Sequence, residues 1–179
     1  MAPINYTHIK LLVLDVDGVL TDGRIVLNAA GQEIKAFHVR DGTGMKYWKR
    51  AGGLLAFISG RSAPAVAHRA KELDVDVVKL GAKDKLPAYQ AVLKELKLGE
   101  DQTAVVGDDL PDLPLMYRCA LPIAVADAAE EVRAAAAYVT QAAGGAGAVR
   151  EIVEMILKQT GAWETILARY RRGGEERAS

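Results

Sequence analysis

Short, largely apolar runs recur along this chain, and polar residues gather just beyond their carboxyl ends. No other feature constrains the fold as tightly. The runs are Leu11–Leu14, Leu54–Ile58, Val75–Leu80 and Thr103–Val106, with weaker ones at Leu121–Val125 and Tyr138–Thr140. Apolar runs of this length without alternation read as strands buried on both faces. The segments between them have helical spacing. Ala63–Leu73 opens on Ser62 as a candidate cap, with Pro64 in its first turn. Lys85–Leu96 sets Leu86, Tyr89, Val92, Leu93 and Leu96 close to one helical face, and Val149–Leu157 repeats the pattern. Strand alternating with helix predicts an α/β fold, a parallel sheet with helices on both faces. At 179 residues the chain suits a single domain.

One segment breaks the alternation. Arg24–Asn28 and Glu33–Val39 flank a turn at Ala29–Gln32, which predicts a protruding β-hairpin flap over about residues 24–39. Near the other end, Trp163, Ile166, Leu167 and Tyr170 fall on one helical face, able to fold back on the domain or to dock on a neighbour. The last residues, about 171–179, read as a polar, flexible tail.

Charge and cysteine content narrow the function. Lys plus Arg and Asp plus Glu each number 23, so no net charge points to a nucleic acid or an acidic membrane. Cys119 is the only cysteine, which excludes an intrachain disulfide and fits a reducing cytoplasm. It reads as a small apolar side chain rather than a nucleophile. No apolar stretch is long enough to span a bilayer, and no export signal is visible, so the expected location is the cytoplasm.

In an open parallel sheet, ligands bind beyond the carboxyl ends of the strands. There the first strand ends in Asp15 and Asp17, the second in Ser59, Gly60 and Arg61, and the fourth in Asp108 and Asp109 with Asp112 close behind. Lys85 opens the helix after the third. Carboxylates crowded together repel unless a cation joins them. An oxygen-only donor set favours a hard ion, with Mg2+ the usual choice beside phosphate. Lys85 and Ser59 suit phosphate oxygens, and Gly18 lets backbone N–H groups approach. The chemistry is phosphoryl transfer: Asp15 attacks phosphorus, and Asp17 protonates the leaving oxygen and then activates water.

These residues resemble the haloacid dehalogenase superfamily of phosphohydrolases: "DVDGVLTDG" for the first motif, Ser59 for the second, Lys85 for the third and "GDDLPD" for the fourth. The resemblance implies a Rossmann-like, doubly wound sheet and an aspartyl-phosphate intermediate. It implies Mg2+ held by Asp15, the backbone carbonyl of Asp17 and Asp108, while Asp109 and Asp112 hold metal-bound waters or orient neighbours. Within the superfamily, "LTDG", "FHVRDGTG", "SGR", "GAKDKL" and "GGAGAVRE" resemble the capless enzymes that dephosphorylate an eight-carbon sugar acid phosphate, 3-deoxy-D-manno-octulosonate 8-phosphate, in lipopolysaccharide precursor synthesis. The implied assembly is a homotetramer in which hairpins pack together and a neighbouring subunit helps close each site. Carried onto this chain, His38, Val39, Arg40, Asp41 and Gly42 lie near the sugar. Lys46, Gly60, Arg61 and Arg69 are candidates for its carboxylate and phosphate, along with Asp17 and Lys85. Gly144, Gly145 and Gly147 read as a tight loop beside the site.

Three rivals carry weight. A phosphatase of a nine-carbon, sialic-type sugar acid phosphate would share fold and chemistry. A non-catalytic oligomerisation domain is disfavoured by the presence of Asp15, Asp17, Lys85 and Asp108 together. A phosphoacceptor signalling domain would gain nothing from an acid/base at Asp17, which shortens the life of the phosphoryl group.

Overall fold

The computed structural model of the chain describes residues 4–175, with side chains described as far as residue 171. Six parallel strands form the sheet: β1 (Leu11–Leu14), β4 (Leu54–Ser59), β5 (Val77–Leu80), β6 (Thr103–Gly107), β7 (Leu121–Ala124) and β8 (Tyr138–Val139). Their order is β5-β4-β1-β6-β7-β8, and a separate antiparallel pair, β2 (Val26–Leu27) and β3 (Glu33–Ile34), forms the hairpin.

β1 lies at the centre because it is apolar throughout. Leu11, Leu12, Val13 and Leu14 are all buried, in register with Leu54–Phe57 on one side and Thr103–Val106 on the other. From β1 the chain winds outward through α1 (Val39–Arg50), β4, α2 (Pro64–Glu72) and β5. It then returns through α3 (Lys85–Leu96) to β6 on the far side of β1. Right-handed crossovers then require the later helices to cover the opposite face. The helices fall into two groups accordingly: α1 packs with α6 (Ala148–Gln159) and α6 with α7 (Ala162–Glu175), while α4 (Leu113–Met116) packs with α3 and α5 (Glu130–Ala135). The reversal of winding occurs beside β1, where a crevice opens at the strand ends.

The structure shortens the hairpin relative to the sequence reading. Its ladder holds two residue pairs, Val26↔Ile34 and Leu27↔Glu33, and Asn28 organises the turn by accepting from Ala30 N and Gln32 N, both at 2.9 Å. Val39 is not in the flap but begins α1. That helix is weakly signalled because it contains Gly42 and Gly44, both poor helix formers. The glycines are required by close packing: a Cβ on Gly44 would press the Arg150 backbone at 3.0 Å.

Two further boundaries differ. The third long strand starts at Val77 rather than Val75, because Asp74 takes a positive φ of 54° and turns the chain. The N-cap of α2 is Ala63 rather than Ser62, with no side-chain cap bond. The expected flexible tail is helical as far as Glu175, and residues 176–179 lie outside the described residues.

The apolar face of α7 folds back on its own domain. Ile166 is buried, and Tyr47 of α1 meets Trp163 and Tyr170 edge-on at 5.8 and 6.0 Å. The Arg150 guanidinium lies 4.7 Å from the Tyr47 ring centre. Tyr47 and Trp48 are thus packing residues, Trp48 donating its Nε1–H to Leu54 O at 2.8 Å. Among the described residues no helix is long and apolar enough to cross a membrane.

Candidate active site

Strands β1, β4 and β6 end side by side, and each delivers polar groups to a cavity of about 280 Å³ lined by Asp15, Asp17, Ser59, Lys85, Asp108 and Asp112. Gly60, Arg61 and Asp109 line it as well. The backbone of the first loop is set by Gly18, at φ 100°, where a Cβ would overlap the Asp108 carboxylate. Thr21 is buried and accepts from Gly18 N and Gly23 N. The 144–147 loop packs against this turn: Gly145 N donates to Val19 O at 2.9 Å, and a Cβ on Gly144 would overlap the Gly18 carbonyl. The glycine-rich loop therefore braces the site, as the sequence indicates.

Lys85 Nζ bonds Asp15 Oδ1 and Asp112 Oδ1, each at 2.6 Å, and all three side chains are nearly enclosed. Asp84, which caps α3 by accepting from Leu86 N, fixes the turn that aims Lys85 inward. Asp112 also accepts from Asp108 N at 3.1 Å, which ties the β6 loop to the lysine. Burial opposes the charge on Lys85, but Asp15 and Asp112 outweigh it and hold its pKa above the usual value. Burial, with Asp112 nearby, pushes Asp15 up to about 6 despite Lys85. Burial, reinforced by Asp15 and Asp112, pushes Asp108 up to about 8. One ammonium does not balance three crowded carboxyl groups, so the cluster either keeps protons or takes a further cation.

Oxygen atoms of Asp15, Asp108 and Asp112 lie within 4.8 Å of one another. A donor set of carboxylates alone, with no sulfur or imidazole, fits Mg2+. The Asp17 side chain is not among these three. It turns to the hairpin, accepting from Lys35 Nζ, and takes a 3.2 Å bond from Ser59 Oγ. The Asp17 side chain is thus engaged away from the three-carboxylate cluster. Asp109 is exposed and caps the turn after β6 by accepting from Leu110 N.

The remaining candidates lie outside the cavity. Asp41 is buried and accepts from Gly147 N at 3.3 Å and Arg150 N at 2.8 Å, so it caps α6. Burial raises its pKa against those N–H bonds. His38 precedes the first turn of α1 without a side-chain cap, Arg40 and Lys46 are exposed, and Gly42 packs beneath Arg69. Arg69 pairs with Glu72 at 2.8 Å and lies 5.8 Å from the Phe37 ring centre. Together with Val39 and His68, these side chains line a second cavity. Cys119 donates to Met116 O, and burial lifts its thiol to about 12, which removes it as a nucleophile.

Two residues at the site escape sequence reasoning. Lys35 and Glu33 of the hairpin close the wall behind Asp17, and Arg61 grips Glu33 through Nε at 3.3 Å and Nη2 at 3.2 Å. The alternation Glu33, Lys35 next to apolar Ile34 is the only local signal.

A family model described as haloacid dehalogenase-like hydrolase matches residues 75–152. The 3-deoxy-D-manno-octulosonate 8-phosphate phosphatase KdsC of Escherichia coli K12 is 43% identical over 154 residues, which covers 86% of this chain and 82% of that one. The chain belongs to the 3-deoxy-D-manno-octulosonate 8-phosphate phosphatase family of the haloacid dehalogenase-like hydrolases. Solved members of the family share the fold. The phosphatase of Moraxella catarrhalis, in complex with magnesium, phosphate and KDO, superposes with a TM-score of 0.90 at 42% identity, covering 92% of this chain and 95% of that one. The cobalt-bound enzyme of Haemophilus influenzae superposes at 0.84 with 41% identity, covering 87% and 91%. A phosphatase family whose relatives hold divalent metals fits the all-carboxylate donor set found here.

Proposed function

We propose that the protein hydrolyses 3-deoxy-D-manno-octulosonate 8-phosphate to the free sugar acid and phosphate, with Mg2+, as one cytoplasmic domain. The observation that carries this reading is the convergence of Asp15, Lys85, Asp108 and Asp112 in one cavity, with Asp17 and Ser59 on its far wall. Family membership supplies the substrate.

Asp15, Asp108 and the Asp17 carbonyl would hold the ion, with Asp112 and Asp109 supporting it from outside. Bound there, Mg2+ offsets carboxylate and phosphate charge and so lets two anions meet. Lys85 and Ser59 bind phosphate oxygens. The Asp15 carboxylate attacks phosphorus, and Asp17 hands a proton to the departing sugar oxygen. In the second half Asp17 takes a proton from the water that attacks the phosphorus carried by Asp15, and the Asp15–phosphorus bond breaks to release phosphate.

Gly60 and Arg61 line the same cavity and would meet the substrate there. His38, Val39, Arg40, Lys46 and Arg69 lie outside this cavity, and a second copy of the chain would bring its sugar acid to them; Asp41 and Gly42 are buried and would shape that surface from beneath rather than touch the sugar. A homotetramer supplies such a copy. Support for it comes from the hairpin, whose Ile25, Val26, Leu27 and Ile34 are about half exposed or more in the lone chain. Phosphate release from the 8-phosphate tests the reading; a folded protein that releases none with Mg2+ present would overturn it.

A further inference from the structure

Lys35 follows β3, and its side chain is only 1% exposed. Its ammonium donates to Asp17 Oδ1 and, at 2.7 Å, to Glu33 Oε1. Ser59 Oγ donates to the other Asp17 oxygen at 3.2 Å. Each oxygen of the Asp17 carboxyl therefore has its own donor, from a different element; once Ser59 turns its single hydroxyl hydrogen to phosphate, Lys35 is the one that still holds the group. Lys35 does not line the carboxylate cavity and reaches the reaction only through Asp17.

Enclosing an ammonium is costly unless its partners are close. Tying the flap to the domain does not require it, because Arg61 already grips Glu33 from β4's loop. Glu33 also shares the Lys35 charge, so only part of that charge offsets Asp17.

We propose that Lys35 is a positioning residue for the proton-transfer steps, holding the Asp17 carboxyl toward the leaving oxygen. The role rests on the phosphatase reading above. In the first half-reaction an Asp15 oxygen bonds to phosphorus, and the substrate P–O bond breaks with its electron pair on the leaving oxygen. The Asp17 proton passes to that oxygen. Asp17 becomes a carboxylate, and Lys35 stabilises the charge as it forms. In the second half, water bonds to phosphorus, its proton returns to Asp17, and the Asp15–phosphorus bond breaks to regenerate the carboxylate.

Aryl phosphates of similar size but different leaving-group basicity separate this role from mere anchoring of the flap. The value of kcat/KM reports events up to departure of the leaving group, the step that Asp17 assists. Across 2,4-dinitrophenyl, 4-nitrophenyl and phenyl phosphate, Lys35→Met should lose most on phenyl phosphate. The 4-nitrophenyl-to-phenyl ratio should widen about tenfold or more, within the usual reach of general acid catalysis. Lys35→Gln, which keeps a donor and loses the charge, should steepen the series likewise and serves if the Met variant does not fold. Lys35→Arg should restore the wild-type slope. An equal loss on all three substrates, or no loss, would overturn the role. Failure of the wild-type protein on every phosphate would instead remove the phosphatase reading on which it rests.

Discussion

Lys85 Nζ stands midway between Asp15 and Asp112, 2.6 Å from an oxygen of each, and joins β1 to the loop after β6 through the first turn of α3. This contact is both structural and chemical. It offsets the burial of two carboxylates and keeps a cation beside Asp15, the proposed nucleophile.

Removing one partner leaves the other charge enclosed. Asp112→Ala strips Lys85 of one of its two anions and leaves Asp108 N and Asp109 N without their acceptor. Breaking a buried ion pair from one side costs about 3–5 kcal/mol. Urea unfolding should register a loss of that order, with activity falling as well.

Gly18 is where backbone shape and metal binding meet. Its φ of 100° disfavours any side chain, and an added Cβ would displace the Asp108 carboxylate. Gly18→Ala should therefore weaken Mg2+ binding, measured by titration calorimetry, more than it weakens the fold. A variant that binds Mg2+ as the wild type does would contradict the placement of Asp108 in the metal site.

Metal-free protein should lose stability as pH rises. Asp15 and Asp108 are pushed up to about 6 and about 8, against an ordinary value of 3.8. Between about pH 4 and 8 the folded chain therefore holds protons that the unfolded chain has released, and the cluster's contribution declines across that window. Thermal melting in chelator should show Tm falling over this range, less so in Asp108→Asn. Added Mg2+ should raise Tm most at the upper end, where the carboxylates are free to bind it.

Asp15→Asn keeps the shape of the proposed nucleophile and removes its charge. The variant should remain folded by circular dichroism and release no phosphate from any substrate. Substantial residual turnover would remove Asp15 from the role of nucleophile.

Most of the fold could be read from the sequence because the sheet strands are contiguous apolar runs. Leu11–Leu14 needs no distant information to be recognised. The site was legible for a related reason: the carboxyl ends of parallel strands share one edge, so Asp15, Ser59, Lys85 and Asp108 come together once the sheet is assigned. What escaped depends on contacts distant along the chain. Nothing near Lys35 announces its bond to Asp17, and nothing near Asp41 announces that it caps α6 more than 100 residues later. Helix α1 carries no clear pattern because close approach, not propensity, selected Gly42 and Gly44.

Phosphate release with Mg2+, compared across 3-deoxy-D-manno-octulosonate 8-phosphate, its nine-carbon sialic-type analogue and hexose phosphates, tests the central claim most directly. The account predicts a kcat/KM for the eight-carbon acid at least about tenfold above each of the others, the scale of discrimination that a few substrate contacts provide. Equal or greater efficiency on the nine-carbon acid would contradict the substrate assignment, and release from none of them would contradict the enzyme itself.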